Sequence, residues 1–206
     1  MTGEDHVITS VSATVIVAGF AIPSITRTDP LQIMTLAGSV GIGALMPDLD
    51  SANSIISQQV GRFFAAVFTH RGFLHSIFAW GLWTYFWYWL LNSLFDTSWT
   101  QWMTNFSMCL WLGLSLGYLM HLIEDSFSVA GVRWLNPFSA RDDYVWNKYH
   151  TLLRPVDHFE KDDDGHSIPC RHRWGRGYVT GSDEETGIAG AFLLGAIIAI
   201  IKLVFF

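Results

Sequence analysis

A helix that crosses the roughly 30 Å hydrocarbon core of a bilayer needs about 20 predominantly apolar residues, with ~17 near the lower limit. Five stretches of this 206-residue chain approach that requirement. Phe73 to Phe95 and Phe106 to Ile123 are the strongest, and Ile188 to Phe206 is a nearly all-apolar tail. Ile8 to Ile25 and Leu31 to Met46 are shorter and rich in Gly, Ser and Thr, as helices packed closely inside a membrane bundle often are. These two could instead form one re-entrant hairpin. The expected fold is all-α: a polytopic helical membrane protein with about five membrane-embedded helices, residues 1–206 forming one membrane domain.

Between the second and third spans, Ile56, Val60, Phe63, Phe64, Val67 and Phe68 recur at helical spacing, with Gln58, Gln59 and Arg62 on the other side. That pattern fits an interfacial helix, or a short soluble helix packed on the loop. Residues 126–187 are polar and hold most of the charges, so they read as an extramembrane loop or small cap.

Composition narrows the class. Only 15% of the residues are charged against 50% hydrophobic, where a soluble domain carries about a quarter charged residues. Apolar surroundings explain the shortfall. A formal charge of -6 suits neither a nucleic-acid binder nor a general phosphate grip, and no nucleic-acid partner is expected. Cys109 and Cys170 fall in different environments without a CxxC pair, so no disulfide is expected. MTGEDH offers no Lys or Arg where a signal peptide needs its positive segment, which reads the first apolar run as a retained anchor.

Cytoplasmic flanks of membrane spans retain Lys and Arg. With five spans, residues 47–72 and 126–187 share a side with the N-terminus. Arg62 and Arg71 lie in the first loop, and Arg133, Arg141, Lys148, Arg154, Lys161, Arg171, Arg173 and Arg176 in the second. Only Arg27 falls opposite, with Lys202 inside the last span. The expected placement is the bacterial inner membrane, multi-pass, with a cytoplasmic N-terminus.

The residues that bind metals or move protons cluster at span ends on that same side. His6 precedes span one, Asp48 and Asp50 follow span two, His70 and His75 open span three, and His121 and Asp125 close span four. In HLIED, His121 and Asp125 are four apart and share a helix face at about 6 Å between Cβ atoms, close enough for one metal to take both. Glu124 falls on a different face and reads as solvated. In MPDLD, Pro47 disfavours continued helix at the residue before it. Asp48 and Asp50 point the same way only if the segment is extended, since a helix would turn them about 200° apart. In THRGFLHS, five residues is no same-face helical spacing, so His70 should precede the helix and His75 sit in its first turn. Arg71 could grip a phosphate bidentately. The plainer alternatives are a His and Asp facing water at a helix end, an Asp-rich turn capping the next helix, and Arg71 as a topology anchor.

Other signals carry less. Glu160 to Gly165 has a calcium-loop flavour, but Arg171 stands where a bidentate Glu is required. Cys170, His172 and His166 form no standard zinc spacing, and His150 and His158 have no identifiable partner. Arg171, Arg173, Trp174 and Arg176 suit anionic headgroups or plain solvent.

Together MTGEDH (1–6), LMPDLD (45–50), THRGFLHS (69–76) and GYLMHLIEDSFSVAGV (117–132) resemble the YdjM-type family of inner-membrane metal-dependent hydrolases, also labelled LexA-regulated or LexA-binding. The resemblance covers roughly the first 140 residues. It implies a metal site at Asp48, Asp50, His70, His75, His121 and Asp125, with His6 as a further member. Ser51 stands where family members often carry His, and Leu74 where they often carry Thr; an absent imidazole at 51 would lower metal affinity or ion number. The family also bears a distant similarity to zinc-dependent phospholipase C proteins.

The leading expectation is a membrane-embedded hydrolase with a divalent metal, zinc before manganese or magnesium. It would act on a phosphoester of a lipid or lipid-linked substrate at the cytoplasmic face. Asp48, Asp50, Arg71 and Asp125 would be its catalytic residues and membrane lipids its surroundings. The rival is a non-catalytic membrane protein whose metal holds span ends together while the cytoplasmic loop binds a partner. An ion or proton carrier ranks lower, because no candidate residue lies at the bilayer midplane, where transport sites usually sit.

Overall fold

A computed structural model describes residues 3–21, 30–51, 54, 56, 58, 63–67, 72–94, 101–127, 132, 134–136, 156–161, 167–171 and 183–205. Helices dominate. They are α1 (Gly3–Ala21), α2 (Pro30–Leu45), a short α3 (Phe63–Val67), α4 (Ile77–Leu94), α5 (Gln101–Ser126) and α6 (Asp183–Phe205). Two 3-10 turns, Pro47–Asp50 and Phe73–His75, sit between the long helices. The fold is all-α as expected, and the loop expected over 126–187 adds one small antiparallel hairpin, β1 (Val156–Lys161) with β2 (Ser167–Arg171). Glu160 pairs with Ile168 and His158 with Cys170, which places those residues in strands rather than in a calcium loop.

The bundle is organised around α5, with α2 packed along it and α1 and α4 also against it; α6 lies against α1. Backbone contact between α2 and α5 is close because small residues meet there. A methyl group added at Gly117 would run into the Val40 carbonyl, at Gly43 into the Leu114 carbonyl, and at Gly113 into Ser39. This is small-xxx-small packing, in which small residues let two helix backbones approach closely. Side-chain hydrogen bonds join α4 to α5. Trp80 Nε1 donates to the Ser115 carbonyl at 3.0 Å, Trp111 Nε1 to the Thr84 carbonyl at 3.0 Å, and the Thr84 and Ser115 hydroxyls meet at 2.8 Å.

Burial runs opposite to that of a soluble bundle. Met34, Leu82, Tyr85, Trp89, Leu116, Leu194 and Ile198 are exposed, whereas Asp50, His6, His75, His121 and Asp125 are buried. Among the described residues, Met103–Ser126 is long and apolar enough to cross a membrane by length and composition. Its 24 residues span about 36 Å at 1.5 Å per residue. The other expected spans do not meet that standard by themselves. α2 has only 16 residues, and α4 interleaves its Ile, Phe and Leu with Trp and Tyr, whose polar tips lower its hydropathy. Five full crossings are therefore more than the helices alone establish. Of the expected interfacial helix, the structure describes Ile56, Gln58 and Phe63–Val67, with Gln58, Phe63 and Val67 exposed; Gln59, Val60, Arg62 and Phe68 lie outside the described residues.

The Gly117→Ala variant should lose about 1–3 kcal/mol through overpacking against the α2 backbone. Gly81→Ala, where no atom lies within 4 Å of the added carbon, should leave stability unchanged or raise it slightly. Unfolding of both variants in detergent, followed by circular dichroism, makes the comparison.

Candidate metal centre

Gly113, Gly117, His121 and Asp125 follow one another at four-residue intervals, so a single face of α5 carries two glycines and then two candidate ligands. The glycines draw α2 in, and its final turn arrives beside His121. There the Nδ1 of His121 lies 2.7 Å from the carbonyl oxygen of Ala44. That carbonyl is among the last four of α2, which have no partner within their own helix. A carbonyl only accepts, so the proton belongs on Nδ1 and Nε2 presents its lone pair.

The same arrangement recurs at the other two imidazoles. His75 Nδ1 lies 3.0 Å from Asp50 Oδ2, and His6 Nδ1 lies 2.6 Å from Glu124 Oε2. Each ring is thus held from outside through Nδ1, while its Nε2 looks inward. Metal-ligating histidines show this habit, because an outer carboxylate or carbonyl fixes both tautomer and ring orientation.

The inward atoms converge. His75 Nε2 and His121 Nε2 stand 3.3 Å apart. Asp48 Oδ1 is 3.9 Å from the first and 3.7 Å from the second, and Asp125 Oδ2 is 3.7 Å from each. When both rings are neutral with the proton on Nδ1, two lone pairs face each other beside two carboxylate oxygens, and only a shared proton or a cation relieves them. A cation at their centre turns that repulsion into attraction. Ligand atoms 2.0–2.1 Å from zinc stand about 3.3 Å apart at tetrahedral angles, which matches the nitrogen pair. His6 stacks on His121 with ring centroids 3.7 Å apart and brings its Nε2 to 3.3 Å from Asp125 Oδ1. Two overlapping buried groups able to hold a metal ion result: Asp48, His75 and His121, and His6, His121 and Asp125.

Surrounding contacts hold the 3-10 turns in place. Tyr118 donates its hydroxyl to the Leu74 carbonyl at 2.5 Å, and Ile77 N donates to the Trp134 carbonyl at 2.9 Å. Trp134 Nε1 in turn donates to Ser126 Oγ at 3.0 Å, so the chain after α5 folds back over the start of α4. Tyr118, Leu122, Val132 and Ala79, with Phe73, Leu74 and Trp134 against them, form an apolar wall beside the cluster.

Of the residues singled out from the sequence, the structure brings together His6, Asp48, Asp50, His75, His121 and Asp125; His70 and Arg71 lie outside the described residues. Three local expectations are corrected. Asp48 and Asp50 lie in a 3-10 turn rather than an extended segment. Both still engage His75, Asp48 facing its Nε2 and Asp50 its Nδ1, because the ring stands between them. His75 ends its own 3-10 turn ahead of α4, whose first turn is capped by Ser76 Oγ accepting from Ala79 N at 3.2 Å. Glu124 is not solvated: it is buried, bound by His6 and by Ser10 Oγ at 2.9 Å. A helical wheel turns Glu124 about 100° from Asp125, but α5 is covered on two sides, by α2 and by α1. The signal the sequence carries for it is His6 and Ser10, four apart on one face of α1.

Fold and site together define a helical membrane protein with a buried His/Asp cluster at one end of its bundle. The family model described as YdjM inner membrane protein matches residues 1–203. The chain belongs to the YdjM inner membrane protein family, and the match runs well past the 140 residues over which the motifs resemble it. The uncharacterized protein YvsG of Bacillus subtilis (strain 168) is 31% identical over 147 residues, 68% of this chain and 76% of that protein. No solved structure matches.

Asp50→Asn should weaken zinc binding by about 10–100-fold, since Asp50 orients His75 from outside the ligand set. Calorimetric titration of the metal-stripped protein measures this, with His121→Ala expected to lose binding at that position altogether.

Proposed function

We propose that the chain is a membrane-embedded, metal-dependent hydrolase that cleaves a phosphoester of a lipid or lipid-linked substrate at the cytoplasmic face. The observation that carries this reading is the inward convergence of His75 Nε2 and His121 Nε2, 3.3 Å apart, on the carboxylates of Asp48 and Asp125. Both rings are locked from behind through Nδ1. His75, His121, Asp48 and Asp125 would hold the ion, zinc before manganese or magnesium on the mixed imidazole and carboxylate donor set. A divalent ion held there supplies Lewis acidity, making water a competent nucleophile near neutral pH and stabilising negative charge on a phosphoryl oxygen.

The chain's own residues divide the remaining work. Asp50, with a fully buried side chain, orients His75. Asp48 is the most open of the three aspartates at 12% side-chain exposure, against 0% for Asp50 and 2% for Asp125, so water and substrate would meet the cluster at its carboxylate. Proton acceptance is assigned on that ground to the Asp48 oxygen other than Oδ1, since Oδ1 faces the two Nε2 atoms. Arg71, four residues ahead of His75, would grip the substrate phosphate. The apolar exteriors of α2, α4, α5 and α6 support a multi-pass embedding, and the Lys and Arg bias of the loops supports a cytoplasmic N-terminus. A site at the bundle end then opens at headgroup depth, which favours lipid phosphoesters.

One set of contacts favours a second, structural reading. His121 to Ala44 and His6 to Glu124 each tie α5 to another helix, as a non-catalytic metal clamp would. Zinc-loaded protein in mixed micelles, assayed on a panel of phospholipids and lipid phosphates, separates the two. Hydrolysis should fall by more than about 100-fold in Asp125→Ala and His121→Ala, beyond the effect of losing an outer partner. Loss of thermal stability in these variants, with no turnover by the intact protein on any member of the panel, would leave the clamp and remove the enzyme.

A further inference from the structure

Asp125 presents its two carboxylate oxygens to different partners. Oδ2 lies 3.7 Å from both His75 Nε2 and His121 Nε2, whereas Oδ1 lies 3.3 Å from His6 Nε2. His6 is fully buried, yet its Nε2 has no hydrogen-bond partner among the described residues. The contact from His6 Nε2 to Asp125 Oδ1 is at ion-pair distance without hydrogen-bond geometry. The Nδ1 contact to Glu124, at 2.6 Å, is by contrast tight, and Ser10 Oγ fastens the other oxygen of the same carboxylate at 2.9 Å. An imidazole held this firmly from behind, with its inward nitrogen making no hydrogen bond 3.3 Å from a carboxylate oxygen, is arranged as a ligand.

We infer that His6 Nε2 and Asp125 Oδ1 form a second cation position, with Asp125 bridging it to the ion held by His75, His121 and Asp48, and Glu124 acting as the positioning residue for His6. The inference rests on the metal-centre reading above and adds a second ion to it. Two ions about 3.5–4 Å apart clamp the attacking and leaving oxygens of a phosphoester displacement. With only two protein ligands named, the second position would keep sites open for water or a phosphate oxygen. This also gives the N-terminal turn of α1 a role in the centre rather than in anchoring alone.

The test is cobalt(II) titration of the metal-stripped full-length protein in detergent, read by visible absorption and electron paramagnetic resonance. The wild type should take up two equivalents, and the resonance intensity per ion should fall as the second enters, because ions sharing a carboxylate couple magnetically. His6→Gln should bind one equivalent. Glu124→Gln should keep the first and bind the second about 10–100-fold more weakly, the usual effect of removing an outer partner. Ser10→Ala loosens Glu124 without touching His6 and should still bind two. Saturation of the wild type at one equivalent overturns the second position and leaves the single-ion reading standing, whereas no uptake overturns both. Loss of the second ion in Ser10→Ala to the same extent as in His6→Gln would assign the effect to the seating of α1 and overturn the ligand role. The wild-type stoichiometry and its coupling decide the matter even if a variant fails to fold.

Discussion

The close approach of α2 and α5 is the constraint on which the rest of the structure depends. At Gly113 and Gly117 there is no room for even a methyl group against the α2 backbone. Only at that separation does the last turn of α2 reach the ring of His121. The Ala44 carbonyl, orphaned by the helix end, then finds a donor, and His121 acquires a fixed tautomer from the same contact. Packing, capping and ligand orientation are thus one event. The 3-10 turn at Pro47–Asp50 continues directly from α2, so the same approach also sets where Asp48 and Asp50 arrive.

Burying three histidines and three aspartates at one end of an apolar bundle is costly unless their charges and hydrogen bonds are answered. The described contacts answer the outer atoms: Asp50, Ala44 and Glu124 each take an Nδ1, and Ser10 takes the remaining oxygen of Glu124. The inner atoms are the three Nε2 nitrogens and the carboxylate oxygens of Asp48 and Asp125, a set rich in electron pairs. A folded arrangement that satisfies its outer shell so fully while turning lone pairs on one another fits a centre built around cations.

Much of this was legible in the sequence, and the part that was not has a physical reason. Apolar stretches located the long helices, with ends that differ by up to five residues from the observed ones, because polar residues at helix ends extend a helix without adding to its apolar run. The positions of His6, Asp48, His75, His121 and Asp125 relative to those stretches identified one end of the bundle as the place to look. Side-chain direction was harder. Glu124 departs from a solvated position because α1 crosses the face next to Asp125, and only that tertiary packing turns an exposed-looking carboxylate into the anchor of His6. The aspartate pair departs from the extended geometry because Pro47 at the first position opens a 3-10 turn comfortably. The four-residue rhythm of Gly113, Gly117, His121 and Asp125 was present throughout and links the packing face of α5 to its ligand face.

X-ray absorption at the zinc edge of the loaded, purified protein tests the central claim most directly. The account predicts a first shell of nitrogen and oxygen at about 2.0–2.2 Å, with the outer-shell scattering of imidazole rings, and loss of imidazole scattering in His121→Ala. A shell of oxygen alone, a sulfur ligand from Cys109 or Cys170, or a spectrum unaltered in His121→Ala would contradict it.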